Sequence, residues 1–264
     1  MMICRELTVR RTLTVRSVIW AALASAAFLV GCGGDGQDTS DAGPTAEGVY
    51  GGTLTGSTSS AFEMLVLENG EYWSLYGDQS ADGFGVAGFV QGTGTSDNGS
   101  FASSNAKDFG FVPAVAGTVR ATYDTTAKTI SGTLTSAQGT VGFSGGPIAG
   151  SLYNYNTPAS IATVSGTWSM TDLNGAGVAV TISSTGALAA SSLGCNFTGT
   201  VTPRTSGKNV FNLELRFGPA PCELPGQNAT GIAVAYPLAS GQTQLLVTAV
   251  DGTRAYGAAA FGVR

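Results

Sequence analysis

Alternation of apolar and polar residues limits what this chain can fold into more than any other feature. In an extended backbone Phe211, Leu213, Leu215 and Phe217 point one way while Asn212, Glu214 and Arg216 point the other. That is the period-2 signature of an antiparallel strand with one buried face. Val119, Ala121 and Tyr123 oppose Arg120 and Thr122 in the same manner. Asp124-Thr125-Thr126-Ala127-Lys128 then turns the chain into Ile130, Gly132 and Leu134. Asn69-Gly70, Ser240-Gly241 and Asp251-Gly252 are turn dipeptides between apolar runs, which marks hairpins. No stretch after Cys32 keeps a helical period for three turns. With 39 Gly and only 11% charged residues, the chain reads as all-β with many tight turns.

These features come round twice. Gly48-Val49-Tyr50 opens one series and Gly166-Thr167-Trp168 the other. A strand, a Gly turn and a strand follow each: Leu65 to Trp73 around Asn69-Gly70, and Val180 to Leu188 around Thr185-Gly186. Next come Phe89 to Thr95 and Phe197 to Thr202, and then Phe101 and Phe211. Residues 47–155 and 158–264 are therefore read as two copies of one plan. The polar, proline-bearing stretch Tyr153 to Ser160 divides them. One-faced strands must close or stack to bury their apolar side, and closure also removes exposed edges. Two tandem, small, up-and-down antiparallel β-barrels are expected; the alternative is one two-sheet β-sandwich drawn from both halves.

The N-terminus carries Arg5, Arg10, Arg11 and Arg16 against Glu6, followed by apolar residues from Val18 to Gly31. That run of about 14 is short of the ~20 a membrane-spanning helix needs, and fits a secretory signal. Its end, Leu29-Val30-Gly31-Cys32, resembles the lipobox of bacterial lipoproteins. The resemblance implies removal of residues 1–31, attachment of lipid to the Cys32 sulfur, and a membrane as the first partner. Gly33 follows the cysteine, which in such lipoproteins implies the outer membrane. Residues 32–46 then read as the lipidated cysteine and a flexible acidic tether. Asp35, Asp38 and Asp41 lack the spacing of a calcium loop, so no metal is expected there.

The leader takes four of the 12 basic and one of the 17 acidic residues, leaving 8 against 16, a net charge of −8. That balance argues against nucleic acid and against docking to anionic lipid. There is no histidine, which removes Ser-His-Asp and Cys-His catalysis and His-ligated zinc. Cys195 and Cys222 are an even pair in an oxidising compartment, so a disulfide is expected; a reactive thiol is the alternative. The bridge would close a loop worth about 3.5 kcal/mol in the chain-entropy model.

Two partial resemblances accompany the barrel reading. Thr118 to Asp124 with Lys128 to Leu134 resembles a strand-turn-strand of the barrel domains in transferrin-binding-protein-B-like surface lipoproteins. Gly166-Thr167-Trp168 with the hairpin through Gly186-Ala187-Leu188 is similar to the first strands of avidin-type barrels, without the polar residues that would hold biotin. Both imply a lipoprotein barrel and neither implies a ligand.

Candidate chemistry is sparse. Gly142-Phe143-Ser144-Gly145-Gly146 matches the nucleophile-elbow spacing but lacks a histidine and an α/β context, so it reads as a Gly-rich turn. Glu63, Glu68, Glu71, Glu214 and Glu223 are candidates for a carboxylate pair by residue type alone, and Glu68 and Glu71 flank a turn that should face solvent. Tyr72, Trp73 and Tyr76 form the densest aromatic stretch, a candidate ligand surface and equally ordinary filling for a small barrel. Asp78 and Asp82 follow in a Gly-bearing loop. The function expected is a non-catalytic binding or structural role in the envelope, with no cofactor. The alternative is a carrier of a small apolar ligand inside a barrel; an envelope hydrolase ranks third.

Overall fold

Each period-2 run becomes a strand, and with one exception each strand pairs with the next in its set. The computed structural model describes residues 44–80, 83–148 and 150–264. The leader, Cys32, the tether up to residue 43 and Asp82 lie outside the described residues. The first set of strands is β1 (Gly48–Thr55), β2 (Ala61–Val66), β3 (Glu71–Ser80), β4 (Gly83–Thr93), β5 (Thr95–Asp97), β6 (Ser100–Asp108), β7 (Val115–Asp124), β8 (Thr129–Ser136) and β9 (Gly139–Gly146). A one-turn helix, α1 (Ile161–Val164), precedes the second set. That set is β10 (Gly166–Asp172), β11 (Gly177–Ile182), β12 (Ala187–Ser192), β13 (Cys195–Pro203), β14 (Phe211–Phe217), β15 (Asn228–Pro237), β16 (Thr243–Asp251) and β17 (Gly257–Val263).

Both sets close, giving two eight-stranded antiparallel barrels rather than a sandwich. Barrel 2 runs in sequence order from β10 to β17, and β17 returns to β10. Barrel 1 closes between β1 and β9 and, more weakly, between β4 and β6 through Val90↔Asp108 and Gln91↔Lys107. β5 pairs only with β6 and stands outside the ring. The stretch 142–146 is strand, not the turn expected from its glycines. It belongs to β9, and the Ser144 hydroxyl shares a hydrogen bond with that of Ser131 at 2.9 Å. Small residues serve the close approach at this seam: a Cβ on Gly52 would lie 2.1 Å from the Ser144 carbonyl oxygen.

An eight-stranded ring is just wide enough to be filled by side chains. In barrel 1 the filling is Tyr50, Phe62, Met64, Val66, Tyr72, Val90, Phe101, Val119, Tyr123 and Ile130. In barrel 2 the bulky filling is Trp168, Met170, Ile182, Phe211 and Leu213. β15 and β16 contribute the smaller Ala229, Ala233, Ala235 and Ala249 together with Leu245. Large and small side chains together fill the lumen, which is how a closed ring keeps a packed centre.

The repeat extends to matching hydrogen bonds. The Tyr50 hydroxyl donates to the Ala46 carbonyl at 2.9 Å, and the Trp168 indole donates to the Val164 carbonyl at 2.7 Å. Each aromatic thus ties the first strand of its barrel to the residue four before it. The hairpin turns match as well: Gly70 N–H donates to Leu67 and Gly186 N–H to Ser183, both at 3.0 Å. Gly94 N–H then reaches the Gly70 carbonyl as Val201 N–H reaches that of Gly186. This pairs Gly94 with Val201, and so the inward Val90, not Phe89, with the inward Phe197. Phe89 points out of its barrel.

The segment expected as tether is partly structured. Tyr123 donates to the Pro44 carbonyl at 2.6 Å, Ala46 N–H donates to Ser96 at 2.9 Å, and Ala46 is fully buried. Barrel 1 therefore takes up residues 44–46, because the inward Tyr50 and Tyr123 hydroxyls need acceptors. The disulfide joins Cys195, at the start of β13, to Cys222 in the β14–β15 connection. It pins that long connection, with Cys222 buried.

Candidate functional site

The two barrels pack outer face against outer face, and that seam builds the site. On β2 the outward residues are Ala61, Glu63 and Leu65, flanked in the sheet by Val49 and Gly51 of β1 and by Trp73 and Leu75 of β3. Barrel 2 answers with Ile232 of β15 and Leu246 and Val250 of β16, so one apolar cluster takes members from both barrels. Strands buried on both faces have no need to alternate, and β2 (AFEMLV) and β16 (TQLLVTAVD) do not.

Polar ties hold the seam together. Gln244, buried on β16, accepts from Phe84 N–H at 3.0 Å and donates to the Phe84 carbonyl at 2.8 Å. Lys107 donates to the Arg254 carbonyl at 2.6 Å. Arg254 in turn donates to the Gln91 and Asn105 carbonyls at 2.8 and 2.9 Å. This exchange sits where β4 and β6 close barrel 1 with few pairs of their own. Arg204 pairs with Glu68 at 2.8 Å and Lys208 with Glu47 at 2.8 Å. Burial works to raise the Glu68 carboxyl, but hydrogen bonds from its own backbone and from Arg204, with the charges of Arg204 and Lys208, hold it below its usual range.

Between these ties lies an apolar cavity of about 40 Å³, with Glu63 in its wall. Gly51, opposite Glu63 in the register, leaves room for Ile148. A Cβ there would lie 2.6 Å from the Ile148 side chain. Ile148 and Leu75 therefore flank the carboxyl with hydrocarbon. Across the cavity stand Ile232, Val234 and Tyr236 of β15, with Leu246 and Thr248 of β16. Tyr153 of the inter-barrel connection stacks on Tyr236, with ring centroids 5.7 Å apart and planes 14° apart, and its hydroxyl donates to the Asn209 carbonyl.

Glu63 has neither ion pair nor hydrogen bond among the described residues. Burial alone pushes its pKa up to about 7, as expected for a carboxyl facing apolar surroundings. The Tyr236 hydroxyl is buried without a well-formed hydrogen bond. Burial and the nearby Glu63 raise its pKa to about 12, and the Ser151 hydroxyl beside it works against that rise.

A second, larger cleft of about 410 Å³ adjoins the cavity and shares Val49, Ile148 and Tyr153 with it. Its wall is polar. Tyr155 donates to Glu47 at 3.1 Å, Lys208 donates to Asn156 at 3.0 Å, and the Lys208 ammonium sits 4.9 Å from the centre of the Tyr155 ring. The stretch 153–160, expected as a polar divider, is thus docked. Its two tyrosines fold inward, and its backbone pairs with the turn before β14 through Asn209.

The aromatic stretch on β3 does not converge on one surface. Tyr72 points into barrel 1, packs edge-on against Phe101 at 5.6 Å and donates to Ser103 at 3.1 Å. Tyr76 also points inward and donates to Asp108 at 2.7 Å. Burial raises that carboxyl, with the Gly110 N–H and the Tyr76 hydroxyl opposing the rise. Trp73 faces the seam, where it stacks on Phe89 at 5.9 Å and donates to Glu71 at 3.0 Å. Of the three, only Trp73 lines the cavity.

The glutamates scatter likewise. Glu71 accepts from Trp73 and Gln91 and is half-buried, not in solvent as its turn implied, while Glu68 is exposed as expected and pairs with Arg204. The seam, invisible to a local reading, engages both. Glu214 and Glu223 are exposed on barrel 2. Asp78, fully exposed, accepts from Ser60 at 2.6 Å. Among the described residues no three metal-ligating side chains come together. A reading of residue types missed Tyr153, Tyr236 and Ile148. The available signal was a Glu inside a strand apolar on both faces, Ala61-Phe62-Glu63-Met64-Leu65-Val66-Leu67. No protein-family model matches the chain, and no curated protein matches it significantly.

Proposed function

We propose that this protein is an exported envelope protein, held to the outer membrane by lipid on Cys32, with a non-catalytic binding role. The cleft between the barrels is where it binds. The observation that carries the reading is Glu63, an ionisable side chain kept without a partner among the described residues in a mostly apolar wall. Burying such a group costs free energy unless something pairs with it, and a bound molecule is the simplest partner.

Several features support the envelope half of the reading. The basic-then-apolar leader ends in Leu29-Val30-Gly31-Cys32, the disulfide suits an oxidising compartment, and the net charge of −8 disfavours nucleic acid. The chain has no histidine. Only Glu63 among the candidate carboxylates lines the cavity, so the second carboxylate of a glycosidase has no counterpart there. A carrier of an apolar ligand inside a barrel would need an open lumen, whereas Tyr50, Phe62, Tyr72 and Phe101 pack one and Trp168, Met170, Phe211 and Leu213 the other.

Fractionation of the host expressing Cys32→Ser tests the anchor, and native mass spectrometry of the extracted wild type tests binding. The variant should stay uncut or leave the membrane fraction. The wild type should carry mass beyond chain and lipid, lost in Glu63→Leu. A Cys32→Ser protein processed and membrane-bound like the wild type would contradict the anchor, and a bare wild-type mass would contradict the binding role.

A further inference from the structure

The wall of the seam cavity has the chemistry of a site for an organic cation. It holds one carboxyl, three aromatic residues (Trp73, Tyr153 and Tyr236) and neither Lys nor Arg. A carboxylate held away from water attracts a cation far more strongly than one at the surface, because the surroundings screen the pair less. Aromatic faces add to that attraction, and alkylated ammonium groups are recognised on such walls. A hard metal ion fits poorly. Calcium takes six to eight oxygens and magnesium an octahedral set, while side-chain oxygens in this wall come only from Glu63, Tyr153, Tyr236 and Thr248. The Tyr153 hydroxyl is already committed to the Asn209 carbonyl.

Size limits the ligand further. A cavity of about 40 Å³ admits a head of about three heavy atoms, at roughly 10–15 Å³ for each water-sized group. Anything larger must continue into the adjoining cleft of about 410 Å³, past Val49, Ile148 and Tyr153. A small positive head on a short chain meets both conditions.

We infer that the cavity binds the ammonium head of an amphipathic amine, primary or methylated, with Glu63 as its counter-ion, the Tyr236 hydroxyl as a second acceptor and the chain lying in the adjoining cleft. This rests on the reading of the seam as the binding site and names the ligand class for it. Glu63 must be ionised to serve. Across the cavity the titratable groups facing it are Tyr236 from β15 and Tyr153 from the connection, both raised by burial and so neutral near pH 7. β1, β3 and β16 present Val49, Trp73, Leu75, Leu246 and Thr248, none of which titrates there. Binding should therefore strengthen as pH rises through about 7, where Glu63 loses its proton.

Calorimetric titration of the full chain with n-butylammonium chloride tests this, with n-butanol and sodium butyrate as neutral and anionic probes of equal length. Butylammonium should bind at pH 8 with a Kd of roughly millimolar order, given its few heavy atoms. Binding should weaken at least about tenfold both at pH 5.5, where Glu63 is protonated, and in Glu63→Gln. Butanol and butyrate should bind at least about tenfold more weakly than butylammonium. Equal binding of butanol and butylammonium by the wild type, or butylammonium binding untouched by pH, would overturn the assignment without recourse to any variant. Native mass spectrometry separates the two levels of failure. A retained neutral molecule displaced by Glu63→Leu would leave the seam as the binding site and retire the cation. A bare wild-type mass with no butylammonium heat would retire both.

Discussion

Glu63 is the residue on which this account of the molecule turns, and its burial has a consequence for stability. Its folded pKa of about 7 lies above that of an exposed glutamate. Between about pH 4.5 and pH 7 the folded protein therefore holds a proton that the unfolded chain has lost. Stability contributed by this group is present at low pH, falls as pH rises through that window, and levels off above it. The wild type should thus lose on the order of 2 kcal/mol between pH 5 and pH 8 relative to Glu63→Gln, allowing for the partial exposure of the carboxyl. Urea unfolding of both proteins at the two pH values measures the difference. Parallel profiles would mean the carboxyl is already solvated or paired. At the same scale, Trp168 is tied by its indole to Val164 and covered by the Arg264 guanidinium, 3.9 Å from the ring centre. Trp168→Phe should cost about 1–3 kcal/mol from the lost hydrogen bond and packing, read from the same unfolding curves.

Among the strands, β16 carries the strongest demand on side-chain identity. Gln244 completes what is in effect one more ladder step, from barrel 2 to the backbone of Phe84. Removing it strands a buried N–H and a buried carbonyl together, so Gln244→Ala should cost about 2–4 kcal/mol. A change below about 0.5 kcal/mol, the level of an ordinary surface substitution, would show that water replaces the glutamine without loss. The disulfide acts on a different element, the β14–β15 connection. Reduction should lower stability by up to about 3.5 kcal/mol in the chain-entropy model, and unfolding curves with and without dithiothreitol report it. Strands of this kind were legible in the sequence. Phe211 to Phe217 alternates because its outer face meets solvent, and Cys195 and Cys222 are the only cysteines among the described residues. β2 was not legible in the same way. Its outward Leu65 and Glu63 face a second barrel, and alternation cannot distinguish a surface buried by a neighbouring domain from an irregular strand. The expectation that Glu71 lies in solvent missed for that reason, and so did the placing of Phe89 opposite Phe197, whereas Glu68 is exposed as expected.

At the scale of the whole molecule, closure and fusion are separate events. Each ring buries its own lumen, as the paired openings Gly48-Val49-Tyr50 and Gly166-Thr167-Trp168 foretold. The fusion rests on outward residues that those openings do not reveal: Trp73, Leu75, Ile232, Leu246 and Val250 in one cluster, rimmed by Gln244, Lys107, Arg254 and Arg204. The cavity exists only while the barrels stay together, so the proposed binding rests on the claim that they form one body. Cleaving the chain at an engineered protease site between Thr157 and Pro158 tests that claim most directly. The nicked protein should run as a single 1:1 complex on size exclusion and unfold in one cooperative transition. Separation into two folded halves that melt independently would contradict the fused seam, and with it the site.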